Sequence, residues 1–214
     1  MPSARGESGA AYAMVGALIL MSVHVAGKAI RDTLFLSNFE VSDLPKMMIA
    51  ASAVSMLAAV TVSRVLSRWD PSRSVPMSML VSAALLLGEW LLVRRHPNAG
   101  AVAVYLHLAG LSLVLFSGFW SVVNERFDPY TAKGIVARAS GFGALGGVLG
   151  GLLAMQLAPQ IGVDRFLPGF ALLHLAGAGV ILALGRPTQA SARSREHSEE
   201  DSAPSATGLS ALRG

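Results

Sequence analysis

The sequence predicts an all-α polytopic membrane protein with six transmembrane helices. Three observations predict it. Apolar blocks of bilayer-crossing length fill residues 11–186. Only 14% of the 214 residues are charged, against about 25% in an ordinary soluble domain. Lys and Arg fall mostly in the gaps between the blocks, where membrane topology accounts for them.

Each block can be justified in turn. The first span runs from about Ala11 to Leu36. Its uninterrupted apolar run, Tyr12 to Gly27, contains only His24 as a polar side chain. That run is short of the ~20 residues a spanning helix needs. The helix must therefore continue through Lys28, Arg31, Asp32 and Thr33 into Leu34, Phe35 and Leu36. The second span, Leu44 to Leu66, opens with Pro45, a residue suited to a first helical turn. The third, about Val75 to Val93, opens with Pro76 in the same part. The fourth is about Ala101 to Val123 and the fifth about Ala139 to Ala158. The sixth, about Phe166 to Leu184, is closed by Gly185 and Pro187. Residues 187–214 turn to Ser, Ala, Arg and Glu without apolar periodicity, which reads as a disordered cytoplasmic tail or linker.

The basic residues orient this layout. Eleven lie on one side, from Arg5 through Arg64, Arg68, Arg73, Arg126, Lys133, Arg138 and Arg186 to three in the tail. Six lie on the other: Lys28, Arg31, Lys46, Arg94, Arg95 and Arg165. The excess puts residues 1–10 and the tail in the cytoplasm of a cell whose inner membrane holds the spans. A net charge of +4 is thus a topology signal and gives no reason to expect nucleic acid. The chain has no cysteine, so thiol chemistry and Cys-based zinc sites are excluded.

The chemistry concentrates in a few places. Lys28, Arg31 and Asp32 stand three and four residues apart and share one helix face. Ionisable groups inside a membrane cost several kcal/mol and mark substrate or ion paths. Asp32 neutralises one cation, and one positive charge is left for an anionic group such as phosphate or carboxylate. The alternative is a helix that ends near Lys28, with the charges snorkelling to the headgroups. Asn124 and Glu125 fall in the last turn of the fourth span, as a cytoplasmic gate or polar lining, or as a plain interfacial stop beside Trp120. Glu89 is an outer-interface residue or a buried polar contact. His107 and His174 read as helix–helix hydrogen-bonding groups, with proton carrier as the alternative. In the fifth span, Gly143, Gly147 and Gly151 recur every four residues, as do Gly146 and Gly150. Such stripes let membrane helices approach closely. Gly141, Gly143 and Gly146 also fit the dinucleotide-binding spacing, but without the strand and βαβ context that pattern requires. No paired carboxylates, nucleophile–base pair or metal-ligand set converges, so neither enzyme activity nor a cofactor is expected.

Two stretches resemble the nucleotide transporters of the ATP/ADP translocase family, a branch related to the major facilitator superfamily. One is Lys28-x-x-Arg31-Asp32-Thr33-Leu34-Phe35-Leu36-Ser37. The other is Phe119-Trp120-x-x-x-Asn124-Glu125-Arg126-Phe127, followed by Thr131-Ala132-Lys133 and the glycine-rich fifth span. The resemblance implies nucleotide exchange, with Lys28 and Arg31 at basic positions that meet phosphates. The chain departs at Ala29, where plastid and intracellular-bacterial members carry an acid, and in the exchanged basic types at 28 and 31. It departs also in span number, since facilitator-type carriers pair two six-helix halves. The tail resembles the linker between such halves.

The expectation is therefore transport of an anionic organic solute, a nucleotide among the possibilities, by one half of an alternating-access carrier. The lipid bilayer and a second six-helix half, as homodimer or separate chain, are its expected partners. A truncated half or a non-transporting membrane scaffold is the alternative.

Overall fold

The computed structural model describes residues 4–66 and 69–185, so the tail read as a linker lies outside them. Six helices follow one another: α1 (Ala4–Leu36), α2 (Leu44–Leu66), α3 (Pro71–Arg95), α4 (Pro97–Arg126), α5 (Pro129–Ile161) and α6 (Phe166–Leu184). All six are long and apolar enough to cross a membrane.

Local chemistry sets the breaks. Pro71, Pro97 and Pro129 open α3, α4 and α5, where a missing N–H costs nothing. The Asp70 carboxylate accepts the Ser72 N–H at 2.8 Å. Asp128 accepts the N–H groups of Tyr130 and Thr131, both at 3.1 Å. These bonds satisfy donors that a helix start leaves orphaned. At the end of α1, Asn38 Nδ2 donates to Leu34 O at 2.8 Å. A single residue, His96, joins α3 to α4. Gly162 closes α5 at φ +86°, a conformation that glycine adopts without a Cβ penalty.

Three boundaries differ from the sequence reading, each for a reason. Pro76 does not open α3; the helix already runs from Pro71, and Pro76 is buried within it. A proline there forfeits one ladder hydrogen bond. The helix α5 starts at Pro129, ten residues before the apolar block. Thr131, Lys133 and Arg138 hide that turn from a hydrophobicity pattern. Likewise α1 starts at Ala4, and Ala10 is already buried.

The helix α1 runs centrally, packed on α5, α4 and α6. The helix α3 lies between α4 and α6, while α2 leans mainly on α4 and α5 mainly on α1. The interior divides along the bundle axis. One apolar cluster joins Ala13, Met79, Phe119, Ile135 and Ile181 at the end holding the α1 N-terminus. A second joins Ile30, Leu86, Val104 and Phe170 towards the other end. A smaller one seats α2 through Met47 and Ala51 against Phe35 and Tyr105.

Candidate functional site

The helix α1 continues unbroken through the charged cluster, so Lys28, Arg31 and Asp32 all stand on helical backbone. Lys28 is exposed, and Arg31 and Asp32 are half-buried. Arg31 Nε reaches Asp32 Oδ1 at 3.2 Å. Its guanidinium also lies 4.5 Å from the centre of the Tyr105 ring. A cation held over an aromatic face gains about 0.5–1 kcal/mol, and more where water is excluded. Tyr105 is in turn fixed edge-on to Phe35, with ring centres 5.5 Å apart. Arg31 is thus aimed from two sides. Lys28 has no hydrogen-bond or ion-pair partner among the described residues, which leaves its ammonium open to a ligand.

These cations line an open groove between α1, α2 and α4. One part, about 460 Å³, lies between Arg31, Tyr105 and the Met48, Ser52, Ser55 and Met56 side of α2. A second, about 200 Å³, is bounded by His24, Lys28, Arg31 and Ser112. Arg31 and Ala109 border both. The larger part falls in the usual range of about 300–1,000 Å³ for small-molecule sites. Its wall offers cations, hydroxyls, one aromatic ring and thioethers, a set suited to an organic anion.

The other two sequence-selected residues do not join it. Asn124 and Glu125 are exposed in the last turn of α4. At 1.5 Å per residue they lie about 28 Å along that helix from Tyr105. They stand where the N-terminus of α3 and the C-termini of α4 and α6 meet. There Arg126 Nε donates to Leu184 O at 3.0 Å, supplying a carbonyl that the end of α6 leaves free.

The two glycine stripes have different neighbours. A Cβ on Gly146 would collide with Leu18 O, and one on Gly150 with Ser22 O. The Ser22 hydroxyl, moreover, lies 2.8 Å from Gly146 O. Gly143, Gly147 and Gly151 meet the softer side chains of Met21 and Val25 at 3.2–3.5 Å.

Two polar residues read singly in the sequence come together elsewhere. Glu89 and His107 are buried against each other, His107 Nδ1 lying 2.9 Å from Glu89 Oε2. His107 Nε2 lies 3.1 Å from Ser82 Oγ. His174 is buried on α6, its Nδ1 donating to Phe170 O at 2.8 Å. Sequence reasoning passed over Ser82, Tyr105, Ser112 and the α2 serines. A signal for the first was there. His107 comes eleven residues after the one-residue turn at His96, between the seven and fourteen that separate His96 from Glu89 and Ser82. An antiparallel hairpin folded at His96 therefore brings the three to similar height.

No group of three or more His, Asp or Glu positioned to hold a metal occurs among the described residues. No family model, curated protein or solved structure matches the chain.

Proposed function

We propose that this chain carries an anionic organic solute across a membrane by alternating access, as one six-helix half of a facilitator-type bundle. The observation that carries the reading is the groove where unpaired Lys28 joins Arg31, Asp32 and Tyr105 on α1 and α4. Its three fixed charges leave one net positive, and a scaffold protein has little reason to keep such a set within an otherwise apolar helix. The resemblance to ATP/ADP translocases makes nucleotides the first solutes to test. Lys28 and Arg31 would meet the phosphates, Asp32 would orient Arg31, and Asn124 with Glu125 would act at the far, cytoplasmic end. The charge distribution supports both termini inside and residence in the inner membrane.

A second half is part of the proposal. Among the described residues the groove is walled by α1, α2 and α4 alone, and carriers of this type close such a groove with a facing six-helix unit. Crosslinking in native membranes separates a homodimer from a monomer. A half that never transports by itself remains the second reading, because of that open wall.

The test is uptake of labelled nucleotides and organic anions by cells expressing the chain, with and without a second half. Lys28→Ala and Arg31→Ala should each abolish uptake while membrane insertion stays intact. Undiminished uptake in either variant contradicts the site.

A further inference from the structure

We infer that the Ser82–His107–Glu89 chain is a buried proton-binding site wired to the groove, and that a proton travels with the anion. The inference rests on the carrier reading above.

Ser82 and His174 lie where the two main apolar clusters divide. Ser82 follows Met79 of one and precedes Ala83 of the other. His174 stands between Ala171 and Ala178 in the same way. At this level sits a cavity of about 30 Å³, bordered by His24, Ser82, Ser112 and His174. A water needs about 10–15 Å³ of such space, so the cavity has room for one. His24 and Ser112 also border the groove. The cavity and its polar rim thus stand between the groove and Ser82, and from Ser82 hydrogen-bond contacts continue to His107 and Glu89.

The geometry suits reversible protonation. Were Glu89 ionised it would only accept, so that His107 Nδ1–H would donate to it and Nε2 would accept from the Ser82 hydroxyl. A proton arriving at Nε2 makes that nitrogen a donor. The Ser82 oxygen then accepts without moving, because a hydroxyl serves either role. As Nε2–H forms, the Ser82 O–H breaks and the Ser82 oxygen takes a proton relayed from a hydronium ion of the groove, which is left as water; the same exchanges run in reverse when the proton leaves. The added positive charge lies one residue from Leu108, which borders the groove beside Lys28. A bound anion and a bound proton therefore favour each other, and by linkage the effect is reciprocal. Other charged or titratable groups on the surrounding elements are His24, Lys28, Arg31 and Asp32 on α1 and Asp43 and Lys46 at the start of α2. So are His174 on α6, Asp164 and Arg165 before it, Arg73, Arg94 and Arg95 on α3, Tyr105, Glu125 and Arg126 on α4, and, further, Glu7 and Tyr12 on α1 and Arg64 on α2.

The test uses the full chain, with its second half where uptake needs one, in phosphatidylcholine–phosphatidylglycerol liposomes. Without solute, ¹⁵N spectra of histidine-labelled protein should show His107 passing from one to two ring protons as the suspension is acidified. With labelled ATP, ADP or citrate outside, an outside-acid gradient should speed uptake several-fold and acidify the lumen. Glu89→Gln should remove the gradient response. A His107 that keeps one protonation state throughout overturns the inference, as does uptake indifferent to the gradient. Failure of every anion to enter, with His107 still titrating, would instead sink the carrier reading beneath it.

Discussion

At the scale of single residues, three carboxylates show how position decides role. Asp128 is exposed at the start of α5. Hydrogen bonds from the Thr131 hydroxyl and backbone N–H, with help from Tyr130, hold its carboxyl below the ordinary range. Its folded value is depressed, so its stabilising contribution is present above the ordinary carboxylate range and is lost as pH falls through the lowered value. Asp128→Ala should therefore lower the melting temperature of the detergent-solubilised chain at neutral pH, and the difference should vanish in acid. A deficit that persists unchanged in acid would argue that Asp128 acts otherwise. Asp70 caps α3 by a similar contact, and its replacement by Ala should cost about 1 kcal/mol, read by thermal unfolding. Asp32, in contrast, spends its charge on Arg31. Capping aspartates are legible from the Pro that follows each; the partner of Asp32 is not, since either cation lies within helical reach.

At the scale of elements, the α1–α5 pair depends on the absence of side chains. Gly146 and Gly150 meet main-chain oxygens of α1, which cannot rotate out of the way. Gly146→Ala and Gly150→Ala should each destabilise the bundle by about 1–3 kcal/mol, as forced overpacking does. Gly179→Ala, where a Cβ meets nothing within 4 Å, should be neutral or stabilising by about 0.5–1 kcal/mol. Equal melting temperatures for the three variants would remove this account of the helix pair. The four-residue spacing was visible in the sequence for both stripes. Which stripe meets backbone was not, because that depends on how far α5 is rotated towards α1. Element ends divide similarly. The limits of α2 and α6 coincide with their apolar blocks, whereas α5 begins ten residues, nearly three turns, before its block. Hydropathy measures the width of the lipid, and helices stop only where capping and proline stop them.

At the scale of the whole molecule, the exposed apolar faces differ in what they should meet. Leu172 and Leu182 on α6 are exposed apolar side chains on a helix packed chiefly against α3. Ser52 and Ser55 on α2 border the groove. The natural absence of cysteine makes single-Cys variants direct reporters. Ser52→Cys and Ser55→Cys should react with a membrane-impermeant maleimide, and under the proposed carrier function an organic anion in the groove should slow that reaction. Leu172→Cys and Leu182→Cys should stay unlabelled in membranes. Equal labelling at all four positions would mean that the groove and the outer face are not distinct environments.

The sequence by itself determined the number of helices, their apolar character and the continuation of α1 through its charges, because each is a local consequence of length, hydropathy and backbone propensity. It also brought Lys28, Arg31 and Asp32 to one face, since helical periodicity needs no other element. Tertiary structure alone decided that Tyr105 braces Arg31, that α2 walls the groove and that Asn124 and Glu125 stand apart from it. It alone joined Ser82 and His107 to Glu89. These are relations between helices, set by crossing angles and rotations that arise only when several apolar faces are buried together.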